Sequence, residues 1–200
     1  MHVVGDPRRE QPSWDGKVRL LHGVSDGIGT VIAVPPVHVQ EVRRVIGADL
    51  HDPTLGTRLG GVLGLHNVVF GTGAFRWTHL PTPLPDQGTW VEADDGRLPE
   101  WLAPFNGRRL IAWDRRGAYI AGVGIKDHDR WGQEIAVVTT PATRGKGMAR
   151  RMVATAARRI LADGAIPTYL HQPSNVASAR VAKAAGFPDR GWRVHGLWGR

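Results

Sequence analysis

Between Ala136 and Ala149 the chain reads Ala-Val-Val-Thr-Thr-Pro-Ala-Thr-Arg-Gly-Lys-Gly-Met-Ala. An apolar, β-branched run leads into a glycine-rich turn, and the turn opens a helix. Such a turn points successive backbone N–H groups outward, and the helix dipole adds partial positive charge at the same place. Gly145 and Gly147 let an anion approach the backbone with no Cβ in the way, while Arg144 and Lys146 add full charges. That chemistry is a phosphate cradle, against the plainer alternative of an ordinary strand-to-helix turn. It is not the nucleotide-triphosphate kind, which needs Gly-Lys followed by Ser or Thr, because Gly147 and Met148 follow Lys146. The G-x-G-x-x-G spacing of dinucleotide folds is absent as well.

Other residues of chemical interest surround the turn. Glu134 opens the strand that feeds it, where a carboxylate either takes a proton through water or stands as a solvated strand-end charge. His171 ends the next strand and is either a proton carrier or a structural histidine. Asp127-His128-Asp129 supplies three adjacent ligand types, which cannot readily converge on one ion, so a solvated turn is expected there and no metal. Gly23-Val-Ser25-Asp-Gly27 matches the G-x-S-x-G pattern of serine hydrolases, but that elbow must lead into a helix. Here Ile28–Val34 is β-branched and stops at Pro35-Pro36, which suits a hairpin. The chain has no cysteine, which excludes disulfides, thiolate nucleophiles and Cys-based zinc sites.

The elements that must position these residues follow from periodicity. Val18–His22 and Ile28–Val34 read as strands, Val37–Ile46 as an amphipathic helix, and Leu55–Leu65 as a weaker helix diluted by glycines. Val68–Trp77 reads as extended. Leu80-Pro-Thr-Pro-Leu-Pro85 is a stiff connector and the expected boundary between an N-terminal α/β portion, residues 1–86, and a second domain, residues 87–200. Beyond it come a short helix over Glu100–Phe105 and strands over Leu110–Trp113, Tyr119–Lys126 and Glu134–Thr140. A helix over Gly147–Leu161 follows, with Met148, Met152, Ala156 and Ile160 on one face and paired arginines on the other. Ile166–Leu170 is the next strand, Asn175–Ala185 a small-residue helix with Gly186 past its end, and Arg193–Trp198 a closing strand. Residues 1–16, with Pro7 and Pro12, read as a loose terminus. This order predicts a mixed α/β sheet, largely antiparallel, with one parallel β-α-β crossover around the long helix.

Arg144-Gly-Lys-Gly147-Met-Ala149, with Pro141 three residues ahead, resembles the Arg/Gln-x-x-Gly-x-Gly/Ala signature of the GNAT superfamily of acyl-CoA-dependent N-acyltransferases. Asn175, Ser178 and Ala185-Gly186-Phe187 resemble that family's second segment, in which an Asn begins a helix and Gly-Phe ends it. The resemblance covers about residues 107–198. It implies a GNAT-like fold in which backbone groups of Arg144, Gly145, Lys146, Gly147, Met148 and Ala149 hold the CoA pyrophosphate. It implies further that Val137, Val138 and Thr139 run beside the pantetheine arm, that this strand splays from Ile166–Leu170, and that Asn175 and Ser178 meet the pantetheine or thiol end. The cosubstrate is then acetyl-CoA, the reaction a direct attack of an amine on the thioester, and Glu134, His171 and Ser178 the catalytic candidates. One departure stands out: the position seven after Asn175, where many members carry a tyrosine that protonates the leaving thiolate, is Ala182. A non-catalytic acyl-CoA-binding module is therefore the competing expectation.

Charge agrees with an anionic ligand. From Arg144 onward the chain carries 11 Lys/Arg against two acids, whereas residues 1–143 carry 15 basic and 16 acidic side chains. The arginines arrive in helical pairs rather than as a continuous basic, aromatic-interleaved surface, so a phosphate-rich small molecule is expected rather than nucleic acid. No apolar run approaches membrane-spanning length and the N-terminus lacks a signal-peptide core, so a cytoplasmic location and no membrane partner are expected. The acceptor is expected to be a small-molecule or peptide amine, chosen by residues outside the CoA half. The N-terminal portion would serve as a companion lobe for acceptor binding or as a homodimerisation element.

Overall fold

The computed structural model describes residues 1–47 and 49–199. It comprises two compact units, Met1–Ala74 with Arg190–Arg200, and Phe75–Asp189.

In the first unit, β1 (His2–Gly5) lies parallel to β3 (Thr30–Val34), and β2 (His22–Ser25) forms an antiparallel hairpin with β3. Helices α1 (Val39–Val45) and α2 (Leu55–Leu63) precede β4 (Val68–Trp77). Residues 1–16 are thus not a loose terminus. Val3 is buried in a core with Ile32, Val34, Val42, Leu55 and Leu59, and Asp6 caps the short 3-10 turn Pro7–Glu10. The segment around Val18 makes only an isolated bridge to Pro12, and the strand begins at His22 instead, where β3 supplies a partner. Glycines in α2 are a packing device: a Cβ on Gly56 would lie 2.5 Å from the Phe70 nitrogen, so only glycine lets this helix approach β4 so closely.

The second unit is built on β5 (Thr89–Val91), β6 (Arg109–Trp113), β7 (Tyr119–Asp127), β8 (Gly132–Thr139) and β9 (Ile166–His171), in that spatial order. Neighbours are antiparallel except β8 and β9, which are parallel and joined through α3 (Met148–Ala162). This is the predicted mixed sheet with one β-α-β crossover. Met152, Val153, Ala156 and Ile160 of α3 are fully buried with Val123, Ile125, Ile135 and Phe187. Helix α4 (Val176–Ala184) closes the unit. Residues 80–87 are tied to α3: Arg158 donates to the carbonyls of Thr82 (3.2 Å) and Leu84 (3.0 Å) and pairs with Asp86, while Gln87 N–H donates to Thr155 Oγ1. The last strand, β10 (Arg193–Gly199), pairs antiparallel with β2 on one side and β4 on the other, within the first unit.

Candidate active site

Strand β8 ends at Thr139, and a single 3-10 turn, Pro141–Thr143, carries the chain to Arg144. Thr143 anchors that turn by donating its hydroxyl to the Ile120 carbonyl at 3.0 Å. Gly145 and Gly147 then adopt φ of 76° and 75°, the left-handed region where a Cβ is costly, and α3 starts at Met148. Alternating left-handed residues at a helix start turn successive N–H groups to one side. The backbone N–H groups of residues 145–150 find no acceptor among the described residues; the next one, on Arg151, donates to Gly147. Open space surrounds Gly145 where a Cβ would stand. The residues present therefore fit a pyrophosphate.

Side-chain charge is arranged to match. Arg144, Lys146, Arg150 and Arg151, around this turn, have no carboxylate partner among the described residues, whereas Arg158 and Arg159 toward the other end of α3 pair with Asp86 and Asp163. The Arg150 guanidinium lies over Gly147, with Nε 2.9 Å from where a Cβ would be. Arg150 belongs to the turn's surroundings although its sequence position assigns it only to the polar helix face.

The second feature is a splayed strand pair. The parallel register joins Gly132 to Ile166, Gln133 to Pro167 and Glu134 to Thr168, and no further pair joins β8 to β9 among the described residues. Beyond that point β8 continues in register with β7 as far as Thr139. Its other edge, along Val137, Val138 and Thr139, thus presents backbone groups that no ladder takes. Val138 is exposed and Val137 and Thr139 are half-buried.

Helix α4 begins beside this gap in sequence. Asn175 is its N-cap: Oδ1 accepts the Ser178 N–H at 3.0 Å, leaving the helix start fixed. Ser178 Oγ stands 2.9 Å from the Tyr169 hydroxyl, and Tyr169, buried on β9, packs its ring on Phe187. Burial pushes the Tyr169 phenol above its ordinary value of 10.0, with the Ser178 bond and the Arg76 charge pulling the other way. Ala182 is fully buried among these groups.

Glu134, the last residue of β8 paired with β9, is buried and sits opposite Lys126 of β7, whose ammonium pairs with Oε1; His128 Nε2 stands 3.3 Å from Oε2. Burial raises the Glu134 carboxyl, but the bonds from His128 and Lys126 lower it by more and hold it below 4.5. It is therefore an ionised, fully engaged carboxylate. His171, also buried, accepts from Arg76 Nε at 3.1 Å through Nε2, and its Nδ1 stands 2.8 Å from the Gln172 carbonyl. With both ring nitrogens engaged, His171 supports Arg76, which also bonds the Phe187 carbonyl and Asp189. Asp129 receives the N–H groups of Trp131 and Gly132, the bonding of a turn, and no group of three or more His, Asp or Glu able to hold a metal occurs among the described residues.

Ser25 stands at the end of β2 before a turn to β3, not before a helix. Its Oγ lies 2.9 Å from His195 Nε2, and His195 Nδ1 lies 3.0 Å from Thr72 Oγ1, a polar row across β2, β10 and β4. The hydrolase elbow is absent, and the row satisfies a buried histidine.

The family model described as the Acetyltransferase (GNAT) family matches residues 74–187. Several solved structures are similar. A GNAT-family protein from Novosphingobium aromaticivorans has a TM-score of 0.55 at 20% identity, covering 68% of this chain and 69% of its own. A GCN5-related N-acetyltransferase-like protein from Streptococcus suis has a TM-score of 0.50 at 16% identity, covering 72% of this chain and 68% of its own. A GNAT-family acetyltransferase from Colwellia psychrerythraea has a TM-score of 0.56 at 12% identity, covering 84% and 76%. No curated protein matches the chain.

Proposed function

The chain belongs to the GNAT family of acetyltransferases, and we propose that it is an N-acyltransferase moving an acetyl group from acetyl-CoA to a small-molecule or peptide amine. The observation that carries this reading is the conjunction, within one β-α-β-α stretch, of a run of unclaimed N–H groups at residues 145–150 and a strand pair that parts after Glu134 and Thr168. The first suits a pyrophosphate, with Arg144, Lys146 and Arg150 in its field. The second suits an extended pantetheine arm, which would add to the open edge of β8 at Val137–Thr139 as a strand does.

In the proposed reaction the amine nitrogen attacks the thioester carbonyl, a β8 N–H steadies the oxyanion, and the tetrahedral intermediate collapses by breaking the C–S bond. The electron pair of that bond leaves with sulfur as CoA thiolate. The nitrogen loses its extra proton through water, with Glu134 as the proposed acceptor. Ser178 is the proposed contact of the thiol end and Asn175 fixes its helix turn. His171, bonded to Arg76, is proposed to shape the site rather than to carry protons.

A second reading, a non-catalytic acyl-CoA-binding module, is favoured by Ala182 at the position where a phenol is usual in the family. Mass spectrometry of amine mixtures incubated with acetyl-CoA separates the two: the enzyme reading expects an acetyl mass increment on an amine, and bound acetyl-CoA without any acetylated amine would sink it. No helix is long and apolar enough to cross a membrane among the described residues; a cytoplasmic enzyme is the proposal. We assign acceptor choice or homodimerisation to the N-terminal portion on the same footing.

A further inference from the structure

Ala182 leaves α4 without a phenol, yet a phenol arrives from another element. Tyr169 is the first residue of β9 beyond its last pair with β8, so it stands where the two strands part. Its side chain is buried against Phe187 and reaches Ser178, one turn before Ala182 on α4. Ser178 itself is half-buried, with its backbone pinned by the Asn175 cap.

The direction of the hydroxyl–hydroxyl bond follows from satisfaction. Tyr169 Oη has no other hydrogen-bond partner among the described residues. Were Ser178 the donor, the phenolic proton would be buried without an acceptor, which costs about 1–3 kcal/mol. Tyr169 is therefore the donor and Ser178 the acceptor. A hydroxyl has one proton and two lone pairs, so Ser178 keeps its own proton for the half-exposed side of the residue. Burial also keeps the phenol protonated at neutral pH.

We propose that Tyr169 is a positioning residue that turns the Ser178 hydroxyl outward, so that Ser178 donates a hydrogen bond to the sulfur of CoA and stabilises the leaving thiolate. This rests on the acyl-CoA reading above. No proton need cross the pair: the C–S electron pair goes to sulfur, Ser178 shares its proton in a hydrogen bond, and the thiolate takes a proton from solvent after departure. The two-residue device would replace the phenol that Ala182 removes.

The test needs no acceptor amine. Free CoA is bound to the wild-type protein and to Ser178→Ala, Ser178→Thr, Tyr169→Phe and the Tyr169→Phe/Ser178→Ala double variant, and the ultraviolet absorbance of the bound thiolate is titrated with pH. Tyr169→Phe keeps the ring on Phe187 and Ser178→Ala alters a half-exposed helix position, so both retain the fold. The bound thiol should ionise about one pH unit lower on wild type than on Ser178→Ala, a tenfold change in acidity. Tyr169→Phe should lose most of that difference, the double variant no more than Ser178→Ala, and Ser178→Thr should keep it. Equal titration on wild type, Tyr169→Phe and Ser178→Ala, as a packing role predicts, would overturn the inference while leaving the acyl-CoA reading intact. Failure of the wild type to bind CoA at all would overturn both.

Discussion

Gly145 and Glu134 carry distinct consequences at the residue scale. Gly145 has open space where a Cβ would stand, so replacing it harms the fold only through its positive φ, about 1–2 kcal/mol. A branched side chain there would nonetheless crowd the proposed phosphate site. Gly145→Val should leave the melting temperature within a few degrees and weaken acetyl-CoA binding tenfold or more, by calorimetry. Glu134 is depressed below 4.5 in the folded chain, so on acidification the unfolded chain takes up the proton first. Its contribution to stability is complete above about pH 4.5 and is lost as pH falls below that through the folded value. Glu134→Gln leaves the Lys126 ammonium without its carboxylate and should cost about 2 kcal/mol at pH 7. Denaturant titrations at several pH values should find that deficit shrinking below pH 4.5; a constant deficit would show that the charge is not what the site holds. His195, in the first unit, shifts in the same direction from a different cause. Burial lowers it from 6.5, so the neutral form is favoured in the fold and stability should fall as pH drops below 6.5.

Among the elements, α3 and α4 hold the site by different means. Helix α3 is fixed by a fully buried apolar face, and the fixation shows in its sequence as Met152, Ala156 and Ile160 at four-residue spacing. Helix α4 has a weaker pattern and depends on Asn175 at its start and Phe187 after its end. Phe187 is fully buried, so Phe187→Ala should cost about 3–5 kcal/mol and release α4 before the rest of the second unit, as hydrogen exchange would report. If exchange accelerates equally everywhere, α4 is not an independent element. Local signals made α3, α4, β8 and the turn between β8 and α3 legible: periodicity, an N-cap and glycines at fixed offsets. What escaped depends on partners distant in sequence. The strand at His2–Gly5 is four residues beside prolines, and only β3 makes it a strand. The strand over Arg193–Gly199 was legible as a strand, but nothing local says that β2 and β4 flank it. The Tyr169–Ser178 bond joins a strand to a helix by tertiary packing, so Ala182 could be read as a loss without its compensation.

At the scale of the whole molecule, the residues of the proposed acyl-CoA site lie in Phe75–Asp189, and the Ser25–His195–Thr72 row belongs to the other unit. Ser25→Ala should therefore lower the melting temperature slightly and leave acyl transfer unchanged; abolished transfer with an intact fold would make Ser25 a catalytic candidate. The excess positive charge after Arg144 acts as a field around the turn. The proposed function requires that this turn be the acyl-CoA phosphate site. Isothermal titration of acetyl-CoA into the wild type and Gly145→Val, at low and at high salt, measures this. Binding to the wild type should be saturable, weaken with salt and fall at least tenfold in Gly145→Val. Absence of binding, or equal affinity in the two proteins, would contradict the proposed function.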